Sequence, residues 1–285
     1  MSADNVDVQY LVQHNVPQLI DGLVKQLVEN KPEKGAIFGF LRQALMRKMM
    51  KFGGGTGPGA NLDCCATNPD NYKVIAECAG GRLVEMTLPA GKGDLPHDHP
   101  VHYLYVVTGG KLKLSPPPGH TEGSAEVEMP SGAAMVIPPG PHQVTNVGTT
   151  DVKILFVEPI IGGEPASLSD FVSPFTVMPE CYKILAEDDD WLIGKMTLPM
   201  GATDPPHSHL DHLVYVCEGD GLTIYPGKQI GDEKMEVPIQ PGMSLPVPAG
   251  HHSVKNTGTK DCDLIFFEQK PKPGAMMKFG GGTGP

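Results

Sequence analysis

HDHPVH, at residues 97–102, is the most informative stretch of this 285-residue sequence, because it returns as HSHLDH at residues 207–212. Each copy is followed, well beyond its last histidine, by one more histidine, His142 or His252. Two histidines at positions i and i+2 of a strand project to the same face, and imidazole is a common ligand of first-row transition metals. The sequence therefore predicts two metal sites with eight candidate ligands: His97, His99, His102, His142, His207, His209, His212 and His252.

The histidines belong to a longer internal repeat with a fixed offset of 110 residues. Residues 72–158 and 182–268 share 32 identities in 87 aligned positions, without a gap. Inside each copy, short runs of valine, isoleucine, leucine and tyrosine alternate with turns rich in glycine and proline, which is typical of a sandwich or barrel. We therefore expect one mainly β fold, present twice.

Both copies resemble the cupin superfamily through two motifs in the same order. The first motif, a glycine, His-x-His, a further ligand and a second glycine, is met by residues 91–109 and 201–219. The second motif, Pro-x-Gly before a histidine and an asparagine, is met by residues 138–146 and 248–256. The resemblance implies two tandem cupin-type β-barrels (double-stranded β-helices) that each hold one divalent transition metal. Iron is the first expectation, with nickel, copper, zinc and manganese as alternatives.

The sequence departs from the cupin pattern at one ligand position. Where most cupins carry a glutamate, this chain carries His102 or His212, after a loop one residue shorter than usual. Four neutral imidazoles leave the ion its full charge, which favours an anionic, chelating substrate. If the shorter loop turns His102 and His212 away, three histidines remain, as in cupin-type thiol and diketone dioxygenases. A barrel lined by histidines without a metal is the third alternative.

A few other residues have expected roles around these sites. Glu158 and Glu268 lie on matching terminal strands, where they either orient a histidine or stand exposed at a sheet edge. Tyr105 and Tyr215 fall on the strand face opposite His102 and His212, so we expect them in the core. His251 has no counterpart in the first copy and is expected at the surface. The six cysteines lack CxxC spacing, and we expect reduced, mostly structural thiols.

Residues 1–52 carry a different pattern, of two short amphipathic helices joined near Pro32. The stretch from Tyr10 to Phe38 resembles the dimerisation/docking domain of protein kinase A regulatory subunits. The resemblance implies a helical hairpin that forms a homodimer and binds an amphipathic helix of an anchoring protein. The alternative is a hairpin that caps its own barrel. The implied docking residues are Val16, Pro17, Leu19, Ile20, Leu23, Leu27, Phe38 and Leu41.

The predicted organisation has six segments. They are the helical hairpin (1–52), a Gly-rich linker (53–71), the first barrel (72–160), an inter-barrel linker (161–181), the second barrel (182–270) and a Gly-rich tail (271–285). The ten residues Met49–Pro58 recur identically as Met276–Pro285. Both copies of this glycine-rich stretch therefore fall at a predicted domain edge, where flexible linkers are common.

Charge and hydropathy limit the classes of function. The net charge of −11 argues against a nucleic-acid partner. No apolar run approaches the roughly 18 residues of a membrane span, and the polar start lacks a signal peptide, so we expect a soluble, cytoplasmic protein, with a ciliary axoneme as one setting. The predicted function is a metal-dependent, dioxygenase-like enzyme acting on a small molecule and anchored by its docking segment. The alternative is a non-catalytic docking or scaffold protein, kinase-anchoring or ciliary, whose barrels are structural or ligand-sensing modules.

Overall fold

The computed structural model describes residues 63–117, 123–160, 168 and 170–270. The predicted hairpin of residues 1–52, its docking residues and the tail of residues 271–285 lie outside this part of the chain. The described residues are mainly β-strand, as the repeat predicts, and include two helices of four residues, α1 (Cys64–Thr67) and α2 (Pro174–Val177). Within those ranges, no helix has the length and apolar character needed to cross a membrane.

Each repeat contributes strands in the same order along the chain. The first repeat forms β1 (Tyr72–Cys78), β2 (Gly81–Leu88), β3 (His97–His99), β4 (His102–Thr108), β5 (Gly110–Ser115), β6 (Ala125–Met129), β7 (Ala134–Ile137), β8 (Gly140–Asn146) and β9 (Val152–Pro159). The second forms β10 (Tyr182–Glu187), β11 (Trp191–Leu198), β12 (His207–His209), β13 (His212–Glu218), β14 (Leu222–Pro226), β15 (Met235–Val237), β16 (Ser244–Val247), β17 (Gly250–Asn256) and β18 (Cys262–Gln269).

The strands of each repeat form two antiparallel sheets around a core. In the first repeat the orders are β1-β2-β9-β4-β7 and β3-β8-β5-β6, and in the second they recur as β10-β11-β18-β13-β16 and β12-β17-β14-β15. Side chains from both sheets meet inside, such as Phe156 and Leu112 in the first barrel and Phe266 and Leu222 in the second. The short histidine strands β3 and β12 lie at one edge of the four-stranded sheets, next to β8 and β17.

A helical turn of four residues precedes the first strand of each barrel. Helix α1 begins after Asp63, whose carboxylate accepts a hydrogen bond from the backbone N–H of Ala66 at 3.0 Å, and it buries Cys64 in the first core. Helix α2 begins with Pro174, where the missing N–H costs nothing. These turns fall in segments that the sequence assigns to linkers.

The two five-stranded sheets also pack against each other by their outer faces. Residues from both barrels share one core cluster, in which the ring of Tyr103 lies 6.0 Å from that of Trp191. Tyr103 donates to the carboxylate of Asp188 at 2.9 Å across this interface. Tyr105 and Tyr215 pack into the same cluster, which confirms their predicted core position.

The motif asparagines close the turn before the last strand of each barrel. Asn256 is buried, and its side-chain amide donates to the carbonyls of Leu198 and Lys260 at 2.9 Å each. Its amide oxygen accepts from the N–H of Gly258 at 3.0 Å. The second motif therefore supplies a structural clamp as well as a histidine.

Exchanging Asn256 for aspartate should lower the free energy of unfolding by about 3 kcal/mol. The near-isosteric carboxylate would place an oxygen against two carbonyl oxygens in a buried site, where the amide now donates. Urea unfolding measures the change, with Gln240→Glu, the same chemical exchange at an exposed position, as the matched control. Equal urea midpoints for the two variants would contradict the stabilising role of the Asn256 side chain.

Candidate metal centres

Strand pairing brings three histidines of the first barrel together. His97 and His99 lie on β3, which pairs with β8 so that His97 stands opposite His142. Alternation turns both β3 histidines inward, where they are buried. One ring nitrogen from each of the three lies within 4.8 Å of the others, and the His97 and His142 ring centroids are 4.7 Å apart. Ring nitrogens this close together can bind the same metal ion.

The second barrel repeats this arrangement. His207 stands opposite His252 in the β12–β17 pair, with ring centroids 4.7 Å apart. The ring nitrogens of His207, His209 and His252 lie within 4.8 Å of one another. The duplication has therefore kept the geometry of the cluster as well as its residues.

The fourth predicted histidine of each barrel stands beside the cluster. His102 begins β4, and its ring centroid is 4.6 Å from that of His99. His212 begins β13, and its ring centroid is 4.5 Å from that of His209. Both are buried, but neither belongs to the group whose nitrogens all lie within 4.8 Å of one another. The structure thus brings three of four predicted ligands together in each barrel and places the fourth against them.

Local backbone geometry fixes the orientation of four of these rings. Each directs Nδ1 at the carbonyl oxygen two residues earlier, and because a carbonyl only accepts, Nδ1 carries the proton and Nε2 keeps its lone pair. The pairs are His97 with Leu95 (2.8 Å), His102 with Pro100 (3.1 Å), His207 with Pro205 (2.9 Å) and His212 with Leu210 (2.8 Å). Imidazoles held in this tautomer offer Nε2 to a metal.

A buried glutamate holds the second histidine of each short strand. His99 Nδ1 lies 2.7 Å from Glu158 Oε1, and His209 Nδ1 lies 2.8 Å from Glu268 Oε2. Both glutamates are 2% exposed, so the alternative of an exposed edge residue is wrong. A carboxylate that accepts from Nδ1–H fixes the ring and makes it a better ligand.

The two glutamates are held by different partners. Glu158 Oε2 accepts from Arg82 Nε at 2.7 Å, and burial raises the pKa of Glu158 while the Arg82 charge opposes that rise. Glu268 Oε1 accepts from the backbone N–H of Leu210 at 2.6 Å, and burial raises the pKa of Glu268 to about 7. The repeat replaces Arg82 by Leu192, so the second barrel lacks this cation.

Each cluster fits a metal because one of its buried imidazole nitrogens lacks a hydrogen-bond partner. Within the described ranges, Nε2 of His97 and of His207 is fully buried and makes no hydrogen bond, a cost of about 1–3 kcal/mol for each. Burial, followed by the charge of neighbouring histidines, lowers the pKa of His99 and of His142 to about 3, and of His252 to about 2. The imidazoles of His99, His142 and His252 are therefore neutral at pH 7, the form that coordinates metals.

A buried tyrosine–aspartate pair beside each cluster was missed by the sequence analysis. Tyr72 donates to Asp94 at 2.6 Å, and Tyr182 donates to Asp204 at 2.5 Å. Each aspartate also accepts a backbone N–H from the strand that carries His142 or His252. The repeat could have indicated this pair, because Tyr72 matches Tyr182 and Asp94 matches Asp204 at the 110-residue offset.

His251 differs from its expected surface position. It is half-buried on β17, and its Nδ1 shares a hydrogen bond with the hydroxyl group of Ser208 at 2.7 Å. This contact joins β17 to β12 beside the second cluster, where the first barrel has Pro141 and Asp98.

Solved structures that resemble this chain include cupins and vicilins. AerE from Microcystis aeruginosa is 13% identical, with 70% of this chain and 93% of that chain covered and a TM-score of 0.46. A cupin 2 conserved barrel domain protein from Leptotrichia buccalis is 14% identical (70% and 88% covered, TM-score 0.42), and vicilin from Solanum melongena is 12% identical (66% and 74% covered, TM-score 0.48). No family model and no curated protein matches the chain. Identities this low concern fold, so the chemistry has to come from this chain's own residues.

Proposed function

We propose that this protein is a metal-binding cupin with one divalent transition ion in each barrel, and that it is a dioxygenase-like enzyme acting on a small, anionic, chelating molecule. The observation that carries the proposal is the convergence of histidines whose Nδ1 is already engaged. Nδ1 has a partner in His97 and His99 of the first barrel and in His207 and His209 of the second, and Nε2 of His97 and of His207 is buried and makes no hydrogen bond among the described residues.

The proposed ligands are His97, His99 and His142 in the first barrel and His207, His209 and His252 in the second, with His102 and His212 as fourth ligands. When bound, the ion supplies Lewis acidity and, if it is iron, redox chemistry with dioxygen. The chain itself provides a neutral set of donors, because the glutamates hold histidines and do not join the inner cluster. Anionic substrate groups are then favoured at the remaining positions.

Apolar walls support this chemistry by limiting water. The rings of Phe156 and His99 pack edge-on with centroids 5.1 Å apart, and those of Phe266 and His209 pack in the same way with centroids 5.2 Å apart. Both phenylalanines belong to the cores of their barrels. Charge interactions inside such a site are stronger than in water, so a charged substrate group is bound more tightly there.

The paired variant His97→Ala/His207→Ala tests the proposal. Full-length protein without a histidine tag, reconstituted in turn with iron, nickel, copper, zinc and manganese, should hold two ions per chain in its histidine clusters, one per cluster, and the variant should lose both. Plasma mass spectrometry after gel filtration measures the content. His102→Ala/His212→Ala should keep the stoichiometry and bind more weakly.

The matched control is His251→Ala, which removes a histidine outside the clusters. It should keep both ions, and circular dichroism should show that all variants keep the β fold. Wild-type protein that holds none of the five metals, or a paired variant that holds as many ions as the wild type, would refute the histidine metal sites.

The docking segment carries a second, independent proposal. The pattern Val16-Pro17-x-Leu19 with later apolar positions favours a homodimer whose groove takes an amphipathic helix. The full-length chain should sediment as a dimer, and Leu23→Asp/Leu27→Asp should sediment as a monomer because charges would enter the proposed interface. Met200→Asp, at an exposed position of the second barrel, is the control. A monomeric wild-type chain would exclude the dimer.

A further inference from the structure

The first barrel contains a thiol cluster just outside its histidine site. Asp63 caps α1, and Cys64 and Cys65 are the first two residues of that helix. The two sulfur atoms lie 3.8 Å apart, and one carboxylate oxygen of Asp63 completes a group whose atoms are all within 4.8 Å of one another. We define this group of three residues as the thiol cluster.

The second barrel shows that packing does not require these thiols. At the 110-residue offset, Asp63, Cys64 and Cys65 become Ser173, Pro174 and Phe175. There the turn packs with a buried proline and with a phenylalanine ring stacked 6.0 Å from that of Phe266. Apolar side chains thus serve the same position in the same fold, and two adjacent thiols beside a carboxylate need another explanation.

The sulfur spacing fits a tetrahedral metal. Two thiolates bound at about 2.3 Å to such an ion lie about 3.8 Å apart. The observed separation of the Cys64 and Cys65 sulfurs is 3.8 Å, so the pair needs no rearrangement to share one ion. Thiolates favour soft or borderline cations such as zinc and cadmium, and the carboxylate of Asp63 can supply a third donor.

The surrounding charges also favour a cation. Arg82 bridges Asp63 and Glu158, so the two carboxylates exceed the single guanidinium by one negative charge. Asp63 and Cys65 are only partly buried, which gives an ion access from outside the barrel, whereas His97 and His99 are enclosed. Cys64 is buried and also lies within 4.8 Å of His99 and Glu158 ligand atoms, so the thiol cluster borders the histidine site.

We propose that Asp63, Cys64 and Cys65 form a third metal site, selective for a thiophilic divalent ion and present in the first barrel only. Binding replaces two S–H bonds by two metal–sulfur bonds and releases both protons to solvent. Arg82 stays paired with Glu158, and the carboxylate of Asp63 supplies an oxygen as the third donor.

A cadmium titration of the reduced, metal-free, full-length protein tests this site. Thiolate-to-cadmium charge transfer gives a near-ultraviolet absorption band that imidazole ligands do not give. The band should saturate at one cadmium per chain, disappear in Cys64→Ser/Cys65→Ser, and persist in Cys78→Ser, which removes another partly buried thiol of the same barrel. It should also persist in His97→Ala/His207→Ala, so the thiol site and the histidine sites succeed or fail separately.

A wild-type chain without the band, or a band that survives in the double serine variant, would overturn the third site. If the serine variant does not fold, Cys64→Pro/Cys65→Phe gives the same test, because it installs the residues that the second barrel uses at this turn. A band that survives in that variant would likewise overturn the proposal.

Discussion

Replacing Glu268 with glutamine should weaken metal binding in the second barrel by about 10- to 100-fold and leave the first barrel unchanged. Glu268 accepts two hydrogen bonds, one on each oxygen, from His209 Nδ1 and from the N–H of Leu210. Glutamine has a single acceptor oxygen, so its NH₂ group must face one of these donors. His209 then loses the contact that fixes its ring and tautomer, or the backbone of Leu210 loses its partner.

Variants that keep only one histidine cluster allow the affinity of each cluster to be measured separately. In His97→Ala only the second of the two histidine clusters binds iron, and a competition titration with an iron chelator should show the weaker binding when Glu268→Gln is added. In His207→Ala only the first cluster binds, and the same substitution should have no effect. Glu233→Gln, at an exposed position of the second barrel, is the matched control. Equal affinities with and without Glu268→Gln in the His97→Ala background would contradict the orienting role.

Truncating Trp191 to alanine should lower the free energy of unfolding by about 3–5 kcal/mol. The indole is 2% exposed at the interface between the two five-stranded sheets. It corresponds in the repeat to Gly81 and lies against that glycine, where an added Cβ would come within 2.9 Å of the ring. The interface is thus shaped around one large side chain, and its loss leaves a cavity.

Urea unfolding followed by circular dichroism measures this loss, because the variant has no tryptophan fluorescence to follow. Met200→Ala removes a large side chain that is 61% exposed, and it should change the stability little. A Trp191→Ala midpoint equal to that of the control would show that the barrels do not depend on this contact.

Much of the candidate metal site could be predicted because its determinants are local. Histidines two apart on a strand share a face, and the duplication repeats that spacing, so periodicity and repetition indicate the same eight residues. Antiparallel strands punctuated by glycine and proline likewise follow from short stretches of sequence. The structure agrees with the sequence on the mainly β fold, and it brings three of the four predicted histidines of each barrel together.

The remaining features depend on contacts between distant strands. The face on which Glu158 lies could not be read from β9, because that strand buries both faces, one in its own barrel and one against the other barrel. Tyr72 and Asp94 lie on different segments of the chain, so no helical or strand periodicity relates their positions. The place of His102 depends on a loop whose conformation the spacing alone does not determine. Alternating apolar and polar residues reveal the inner face of a strand only when its other face is exposed to water. A strand such as β9 contacts protein on both faces and lacks this alternation.

The core shared by the two five-stranded sheets joins the barrels, so we expect them to unfold as one cooperative unit. If they unfold together, a ligand that binds only the folded state of one barrel stabilises both, by about 2.7 kcal/mol at a hundredfold excess over its dissociation constant. A barrel that loses its ion would then still be protected from unfolding by the occupied neighbour. The duplication would therefore stabilise the fold when only one barrel is occupied, in addition to providing a second candidate site.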